Sequence, residues 1–385
     1  MGRLKAALIH NLKPPSKDSG LPADYYSECD SPKTVAAIAG ALEKAGYEVF
    51  PVEGDKRLPR WLSEHPVDFA FNIAEGFWGD SREARVPALL ELMGIPSTGS
   101  GVLTLALAMD KTKSKQIFRQ TGVPTPNYQL FSSADQSVDP SLKYPLIVKP
   151  NSEGSAKGIS AKSVVRDETE LRNQVHRVFE TYHQDALVEE YIEGLELTVG
   201  ILGDQALPVL EVDFSGCGDS GEYFYSWRMK EFQGNQELHL DPKFFCPARI
   251  SDQAARAAQA VALKAAQVLG ARDIARVDIR LSSDGIPYVL EINPLPGLDP
   301  DESNFPIIAR AAGISYEALI QTLARMALAR SGPASHSSIP SSKVNGPSSS
   351  NPRGRDLPDS TRKNEEGLPE PAAVKGARAI RKEHP

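Results

Sequence analysis

Residues 275–293 carry the sequence pattern of a β-hairpin. Both arms, 275–281 and 286–293, alternate apolar and polar side chains, which is the period of a strand with one covered face. The arms are joined through Asp284-Gly285, and Asp-Gly is a strong short-range hairpin signal. A two-residue turn at that dipeptide would set the register of every facing pair. The hairpin therefore predicts which side chains share one face of a sheet.

One face of this hairpin has the composition of a metal site. The predicted register places Asp278 opposite Glu291 and Arg276 opposite Asn293. Opposed Cβ atoms lie about 4.5 to 5.5 Å apart, where like charges destabilise a sheet, so a cation is expected between the two acids. Two carboxylates and an amide are oxygen ligands that suit Mg²⁺ together with nucleotide phosphates. The alternative is a solvated face on which Arg276 neutralises the carboxylates.

Size and composition predict a globular protein of two or three compact units. The chain has 385 residues, of which 41% are hydrophobic and 24% are charged. No apolar run approaches the roughly 18 residues of a membrane span, and the N-terminus leads into a strand without the apolar region of a signal peptide. We therefore expect a cytoplasmic protein without membrane partners. Cys29, Cys217 and Cys246 are too few and too far apart for a disulfide framework or a Cys-ligated zinc site.

Charge divides the chain into two parts. The net charge of −7 combines +3 over residues 331–385 with −10 over residues 1–330. An acidic body disfavours a general nucleic-acid partner. The segment from Ser331 onward is rich in Ser, Pro, Gly and Asn, and it has too few apolar residues to offset the entropy of folding. Residues 331–385 are therefore predicted to be a disordered tail.

The pattern of apolar residues predicts an α/β protein. In residues 1–102, strand-like and helix-like segments alternate, and Ser31-Pro32 has the form of a helix N-cap followed by proline at the first helical position. Such alternation predicts a mainly parallel sheet with helices on its faces. One continuous helix is predicted from Leu103 to Arg119. Strands are predicted over 4–9, 47–51, 67–73, 144–150, 187–192 and 196–202, and further helices over 251–269 and up to residue 330.

Two further segments indicate phosphate binding, each with a simpler alternative. Residues 153–158 form a glycine-containing loop, with Lys149 before it and Lys157 within it, whose backbone N–H groups can approach phosphate oxygens. The loop lacks the Gly-Lys-Ser/Thr of a Walker A motif, and its alternative is a flexible hairpin turn. Lys111 lies in a cationic helical turn, whose alternative is a solvated face. No G-x-G-x-x-G follows the first strand, which disfavours a dinucleotide-binding Rossmann domain.

In their order along the chain, the motifs resemble those of the ATP-grasp ligases. They are Met-Asp-Lys at 109–111, Val-Lys-Pro-Asn-Ser-Glu-Gly-Ser at 148–155, Val-Glu-Glu-Tyr-Ile at 188–192 with Glu196, Arg-Val-Asp at 276–278 and Glu-Ile-Asn-Pro-Leu-Pro-Gly at 291–297. Within that group, roughly residues 4–328 are most similar to the D-alanine–D-alanine ligase family. The resemblance implies a three-domain α/β ATP-grasp architecture. Its parts would be an N-terminal parallel-sheet domain at 1–102, a central α+β subdomain at 103–185 and a C-terminal α+β subdomain at 186–330, which enclose ATP.

The resemblance implies a nucleotide and metal half of the site. Its members would be Lys111, Lys149 and Lys230 at the ATP phosphates, Glu189, Glu190, Tyr191 and Ile192 at the adenine, Glu196 at the ribose, and Asp278, Glu291 and Asn293 as ligands of two Mg²⁺ ions, with Mn²⁺ as a substitute. This metal set agrees with the hairpin register derived above.

The resemblance also implies an amino-acid half of the site. Arg276 and the backbone N–H of Gly297 would form an oxyanion site, and Ser155 would help to close the pocket. Ser303 would hold the carboxylate of the acceptor, and Glu28 would hold the ammonium group of the first substrate. The implied partners are ATP and small amino acids, and the implied assembly is a homodimer.

The chemistry implied is the joining of a carboxylate to an amine at the expense of ATP. One D-alanine carboxylate would attack the γ-phosphate to give an acyl phosphate, which the amine of a second D-alanine would then displace. Cations offset charge during phosphoryl transfer, and preorganised donors stabilise the oxyanion of the tetrahedral intermediate. The product, D-alanyl-D-alanine, would serve peptidoglycan synthesis.

Three departures from the family pattern concern the amino-acid half. Residues 72–80 read Asn-Ile-Ala-Glu-Gly-Phe-Trp-Gly-Asp where the family has His-Gly and Gly-Glu-Asp-Gly. Ala156 follows Ser155 where the family has a serine pair, and Glu231 takes the place of a tyrosine beside Lys230. Two alternatives stay open: an ATP-grasp ligase that makes a different dipeptide or amino-acid conjugate, and a non-catalytic nucleotide-binding regulatory protein.

Overall fold

Three sheets organise the residues that the computed structural model describes, which are 2–14, 20–218, 223–232 and 240–330. The tail predicted over 331–385 lies outside the described residues. Within the described part of the chain, no helix is long and apolar enough to cross a membrane. The three cysteines are all free thiols.

The N-terminal sheet is parallel, as the alternation of strands and helices predicts. Its elements are β1 (Lys5–His10), α1 (Pro32–Lys44), β2 (Glu48–Glu53), α2 (Leu58–Glu64), β3 (Phe69–Asn72) and α3 (Arg85–Leu92). The strand order is β2-β1-β3, and both pairings are parallel. Ser31 accepts a hydrogen bond from the Thr34 N–H at 3.1 Å, and Pro32 is the first helical residue. The predicted start of α1 is therefore confirmed.

A second, antiparallel sheet follows two consecutive helices. Its elements are α4 (Val102–Met109), α5 (Lys111–Thr121), β4 (Tyr128–Phe131), β5 (Leu146–Pro150), β6 (Val164–Val165), α6 (Glu168–Tyr182) and β7 (Ala186–Glu190). The strand order is β4-β7-β5-β6. Leu171, Val175 and Val178 of α6 share a core with Val148 and Val188, so α6 covers one face of the sheet. The opposite face of this sheet is not covered by α6 and is available to line a binding site.

The single helix predicted from Leu103 to Arg119 is wrong, because the chain breaks at Asp110. The backbone of Asp110 is extended, with φ −89° and ψ 97°, and its carboxylate accepts a hydrogen bond from the Lys113 N–H at 3.0 Å. Aspartate favours this N-cap arrangement over a helix interior because its side chain satisfies a free backbone donor. The break makes Lys111 the first residue of α5. Lys111 is 6% exposed, so the alternative of a solvated cationic turn is also wrong.

The third sheet is antiparallel and lies between helices. Its elements are β8 (Gly194–Leu202), β9 (Gln205–Asp213), α7 (Trp227–Glu231), β10 (Lys243–Phe245), α8 (Asp252–Leu269), β11 (Ile274–Ser282), β12 (Pro287–Asn293), α9 (Asn304–Ala311) and α10 (Tyr316–Ala329). The strand order is β10-β9-β8-β11-β12. Val277 and Ile279 pack into a core with α8. Side chains alternate along a strand, so Arg276 and Asp278 face the other side of the sheet.

Residues from the two ends of the described chain share one core. Leu8 and Phe71 of the first sheet belong to the same buried cluster as Phe305 of α9 and Leu319 of α10. The N-terminal segment that follows β1 is thereby held beside β11 and β12. The division of the chain at residues 102 and 185 stays a prediction.

The hairpin has the predicted pairs at its far end but a different turn. Arg276 faces Asn293 and Asp278 faces Glu291, as predicted. The turn, however, is a three-residue loop closed by a 3.0 Å hydrogen bond from the Ser282 N–H to the Ile286 carbonyl. The predicted two-residue turn is wrong.

A bulge between Asp278 and Ile279 restores the predicted register. Ile279 faces Val289 while Asp278 faces Glu291, so Leu290 is an extra residue on β12. The three-residue loop shifts the strand pairing by one residue in one direction, and the bulge shifts it by one residue in the other. The two shifts cancel at Asp278 and Glu291. The bulge therefore brings the two carboxylates onto the same face.

The turn predicts a cost for replacing Gly285, whose φ is +79° with open space around the position of a Cβ. Gly285→Ala should lower the free energy of unfolding by about 1 kcal/mol, because an L-residue is strained in the left-handed region. Gly285→Asn is the matched control and should lose less, because asparagine tolerates that region. Denaturant unfolding measures both. Equal stability of the alanine variant and the wild-type protein would contradict the assigned turn.

Candidate functional site

Three adjoining cavities collect every residue that the sequence predicts for the site, and Arg276 lines all three. The first cavity is lined by Lys111, Lys149, Glu189, Glu190, Tyr191, Ile192, Glu196, Lys230, Asp278 and Glu291. The second cavity is lined by Lys111, Ser155, Glu291, Asn293 and Gly297. The third cavity is lined by Glu28, Ser155, Lys230, Gly297 and Ser303.

Asp278 is surrounded by hydrogen-bond donors of the protein. Arg276 donates through Nε at 3.0 Å and Nη2 at 2.8 Å, Thr198 Oγ1 donates at 3.0 Å, and Asn293 Nδ2 donates at 3.1 Å. The side chains of Arg276 and Asp278 are 15% and 18% exposed, so this face of the hairpin is not solvated. Arg276 does neutralise Asp278, as the simpler interpretation of the hairpin expected. It does so inside a cavity.

Glu291 is kept ionised by the lysines around it. Burial would raise the pKa of this carboxyl, but Lys111, Lys149, Lys230 and Arg276 outweigh burial and lower the pKa to about 2. Of these cations, Lys111 forms an ion pair with Glu291, with its Nζ 3.3 Å from the carboxylate. A permanently ionised carboxylate at the junction of two cavities suits a cationic ligand.

Lys149 is held in place by an ion pair with a buried carboxylate. Glu189 contacts Lys149 Nζ at 2.5 Å and Lys115 Nζ at 2.8 Å, and all three side chains are at most 6% exposed. Burial lowers the pKa of Lys115 to about 8, although Glu189 opposes this shift. Because its carboxylate is occupied, Glu189 acts on the first cavity chiefly by holding Lys149 in place. Lys115 is a residue that the sequence interpretation missed.

The rest of the predicted adenine and ribose segment follows the same wall of the first cavity. Glu190 accepts from Asn127 Nδ2 at 3.0 Å and from the Lys143 N–H at 3.1 Å, which ties the end of β7 to its neighbours. Glu196 contacts Arg280 at 3.5 Å, and Arg280 Nη2 donates to the Tyr191 hydroxyl at 3.1 Å. Ile192 adds an apolar surface to this cavity. This wall of the cavity therefore combines apolar side chains with polar groups.

Lys230 lies on α7, where the first and third cavities meet. Its Nζ is 5.1 Å from the centre of the Tyr225 ring, a cation–π contact. Burial, followed by the charge of Arg276, lowers the pKa of Lys230. The neighbouring Glu231 forms an ion pair with Lys13 at 2.9 Å. The departure at Glu231 therefore connects α7 to the segment after β1.

Glu28 is enclosed by protein cations. Oε1 accepts from Arg82 Nη2 at 2.7 Å and from the Gly154 N–H at 2.9 Å, while Oε2 accepts from Lys157 Nζ at 2.7 Å. The side chain is 4% exposed. Burial opposes ionisation, but Lys157 and Arg82 lower the pKa of Glu28. The carboxylate predicted to receive a substrate ammonium is thus held by Arg82 and Lys157, neither of which the sequence interpretation placed in that role.

The loop after β5 is fixed by the N-terminal segment. The Gly158 N–H donates to Asp24 Oδ2 at 2.8 Å, and Glu28 holds Gly154 and Lys157. Ser155 and Ala156 have positive φ values of 50° and 56°, which is uncommon for residues other than glycine. This anchoring argues against the alternative of a flexible turn. It leaves Ser155 on the walls of the second and third cavities.

Ser303 and Gly297 lie side by side in the third cavity. A Cβ at Gly297 would come within 2.8 Å of Ser303 Oγ, so only glycine fits without a shift. Ser303 Oγ accepts a hydrogen bond from the Asp299 N–H at 3.0 Å, at the start of α9. The structure therefore places the predicted acceptor residue beside the predicted oxyanion residue.

Two carboxylates that the sequence interpretation missed complete the site. Glu75 and Glu83 both line the second cavity, and Glu75 also lines the third. Burial, reinforced by Glu28, raises the pKa of Glu83 to about 8, against the opposing effect of nearby cations. The same two causes raise the pKa of Glu75. Glu75 lies in the stretch that departs from the family pattern, and this departure was the available signal.

The raised pKa of Glu83 predicts a pH dependence of stability. A carboxyl with a folded pKa near 8 stabilises the fold below its unfolded pKa near 4.5, and that contribution is lost as the pH rises to 8. Glu83→Gln removes the titrating group. The melting temperature of the variant relative to that of the wild-type protein should therefore rise by ~2 °C or more from pH 5 to pH 8. Glu91→Gln, which changes an exposed carboxylate on α3, should show the same pH dependence of the melting temperature as the wild-type protein. Parallel curves for Glu83→Gln would contradict the assignment.

Comparisons with known proteins agree with the resemblance to ligases that the sequence motifs indicate. The family model for the C-terminal part of D-alanine–D-alanine ligases matches residues 117–325. The D-alanine–D-alanine ligase of Carboxydothermus hydrogenoformans is 36% identical over 308 residues, covering 77% of this chain and 93% of that protein. The uncharacterized protein y4sG of Sinorhizobium fredii is 37% identical over 292 residues, covering 74% of this chain and 84% of that protein.

A solved structure extends the likeness to the fold. The crystal structure of D-alanine–D-alanine ligase from Bacillus anthracis complexed with ATP matches with a TM-score of 0.66 and 26% identity, covering 86% of this chain and 99% of that one. The predicted α/β ATP-grasp architecture is confirmed by this match. The chain belongs to the D-alanine–D-alanine ligase family and is an ATP-dependent ligase.

Proposed function

We propose that this ligase joins two D-alanine molecules through an acyl phosphate, giving D-alanyl-D-alanine for peptidoglycan precursors. The observation that carries the proposal is the sharing of Arg276 by three cavities, so that one guanidinium borders both the residues assigned to the nucleotide and those assigned to the amino acids. The named activity of the relatives supports the choice of D-alanine. We infer a cytoplasmic reaction because it consumes ATP, and the homodimer stays a prediction.

The residues of the hairpin fit Mg²⁺, with Mn²⁺ as a substitute. Asp278, Glu291 and Asn293 supply hard oxygen atoms on one face, and Glu291 is ionised at any physiological pH because its pKa is about 2. These three residues would hold two ions against the phosphates of ATP. The metal supplies charge neutralisation during phosphoryl transfer.

The chain's own cations perform the remaining work on the nucleotide side. Lys111, the first residue of α5, and Lys149, held by Glu189, bind phosphate oxygens in the first cavity. Lys230 lies where that cavity meets the third and binds the phosphoryl group while it is transferred. All three are protein charges held out of bulk water, where they act more strongly on a phosphate than they would in solvent.

The amino-acid side provides the oxyanion site. Burial would disfavour the charge on Arg276, but Asp278 raises its pKa, so the guanidinium stays charged. With the Gly297 N–H it stabilises the tetrahedral intermediate that forms when the second amine attacks the acyl phosphate. Ser303, beside Gly297, binds the carboxylate of the acceptor. No protein nucleophile takes part in this mechanism.

A different amino acid is the second candidate, and one observation favours it. Glu28, which would hold the ammonium of the first D-alanine, is already bound by Arg82 and Lys157. Asn72 and Glu231 are likewise used within the protein, Asn72 accepting from the Ala74 N–H and Glu231 pairing with Lys13. The alternative product would be another dipeptide or an amino-acid conjugate made by the same chemistry.

The test of substrate is phosphate release from Mg-ATP with D-alanine and with a panel of D- and L-amino acids, with products identified by mass. Release with D-alanine and formation of D-alanyl-D-alanine is the expected result. Release only with another amino acid would establish the second candidate. ATP binding without release by any member of the panel would instead indicate a regulatory nucleotide-binding protein.

Removal of a predicted metal ligand tests the mechanism. Glu291→Gln keeps the shape of the side chain and should lower Mg²⁺-dependent turnover by ~100-fold or more, because it removes a charged ligand at the phosphates. Glu43→Gln, which changes an exposed carboxylate on α1, is the matched control and should keep wild-type turnover. Steady-state phosphate release across a range of Mg²⁺ concentrations makes the comparison. Wild-type turnover of Glu291→Gln with an unchanged Mg²⁺ dependence would refute the assignment.

A further inference from the structure

Glu28 has little capacity left for a ligand. A carboxylate offers about four acceptor positions, and here Arg82 Nε and Nη2, Lys157 Nζ and the Gly154 N–H all donate to it. Arg82 and Lys157 also contact Glu153, so two cations compensate two carboxylates in this cluster and Glu28 is fully paired. A substrate ammonium at Glu28 would have to displace a buried ion pair, which is strongly unfavourable because it leaves a buried cation uncompensated. The first substrate therefore needs another anionic partner.

Glu75 and Glu83 are the carboxylates available for that task. Among the residues that the structure describes, neither has a hydrogen bond or an ion pair through its side chain. Glu83 is only 8% exposed and lines the second cavity. Buried carboxylates are normally paired, so an unpaired one directed into a cavity indicates a missing cation.

The fold holds both carboxylates in place. The Gly76 N–H donates to Asn11 Oδ1 at 2.9 Å, and the Ala74 N–H donates to Asn72 Oδ1 at 3.2 Å, so Glu75 lies between two anchored residues. Glu83 is the middle residue of the short 3₁₀ helix Arg82–Ala84. Its neighbour Arg82 turns toward Glu28 and Glu153. The cation closest in sequence to Glu83 is therefore used elsewhere.

The charges around Glu75 match an amino-acid zwitterion. Glu75 shares the second and third cavities with Ser155, Arg276 and Gly297. A ligand with its ammonium at the carboxylates would direct its own carboxylate toward Arg276 and the lysines beside it. After burial and the charge of Glu28, the charge of Glu83 also raises the pKa of Glu75, because two like charges close together disfavour each other. A bound cation removes that repulsion.

We infer that Glu75 and Glu83 receive the ammonium group of the amino acid whose carboxylate is activated, in place of Glu28. This inference rests on the proposed ligase function and adds the residues that select a substrate carrying an amino group. Glu28 is then a positioning residue, which fixes Ser155 and its loop through Gly154 and Lys157.

The test measures D-alanine binding to the full chain by isothermal titration in the presence of Mg-ADP, which fills the nucleotide side without turnover. Glu75→Gln and Glu83→Gln should each weaken D-alanine binding ~10-fold or more, because a hydrogen bond to a charged group is lost. The Kd for ADP should stay within about two-fold of the wild-type value. Propanoate, which is D-alanine without its amino group, should bind the wild-type protein and both variants equally.

Two controls separate binding from folding. Glu91→Gln changes an exposed carboxylate on α3 and should bind D-alanine as the wild-type protein does. The unliganded Glu75→Gln protein should melt at or above the wild-type temperature, because the substitution removes charge repulsion rather than a contact. A purely structural glutamate would show the opposite change.

Each contrary outcome has a distinct meaning. Unchanged D-alanine binding in both variants, with ADP binding retained, overturns this inference and leaves the proposed function standing. Stabilisation by Mg²⁺ alone that both variants lose would assign the carboxylates to a metal and also overturn it. ADP binding by the wild-type protein without binding of D-alanine, glycine, L-alanine or D-serine would rule out this ammonium site. Absence of ADP binding by the wild-type protein would overturn the proposed function itself.

Discussion

The pairing of charges that the fold removes from water determines this site. Glu189 with Lys115 and Lys149, Arg276 with Asp278, and Glu28 with its two cations are all shielded from solvent. A buried charge persists only when opposite charges and hydrogen bonds compensate its lost hydration. Lys149, Glu28 and Asp278, which face the cavities, are therefore each held in one orientation by a charged partner. Preorganised charges of this kind need little rearrangement when a phosphate or an oxyanion develops beside them.

The hairpin shows how far local sequence rules reach. Alternation of apolar and polar residues placed Arg276 and Asp278 on one face, because Val277 and Ile279 had to enter the core with α8. The turn rule chose the wrong loop, since Asp-Gly also suits a three-residue loop whose last residue is left-handed. The bulge at Leu290 then corrected the register. No sequence signal distinguishes that bulge from regular alternation, so the correct pairing depended on two errors that cancel.

The nucleotide half of the site was more predictable than the amino-acid half, for a physical reason. Lys149, Glu189 and Glu196 lie on regular strands, where position along the chain fixes the face that a side chain occupies. Glu28, Arg82 and Lys157 come from three separate loops or short helices, and they meet only after the whole chain has folded. A motif can assign Glu28 a role, but it cannot reveal that two distant cations compete for the same carboxylate.

On the proposed function, family membership and substrate choice rest on different parts of the molecule. The lysines and the acidic hairpin that surround the first cavity would determine whether ATP can phosphorylate a carboxylate, and they keep the order of the family's motifs. The second and third cavities would determine which carboxylate arrives there, and both are lined by Glu75, which lies in the stretch 72–80 that departs from the family. Glu75 lines the second and third cavities but not the first, so a change at Glu75 would alter the substrate without altering the phosphoryl chemistry. Such a division lets one catalytic frame serve amino acids that differ in how their ammonium groups are held.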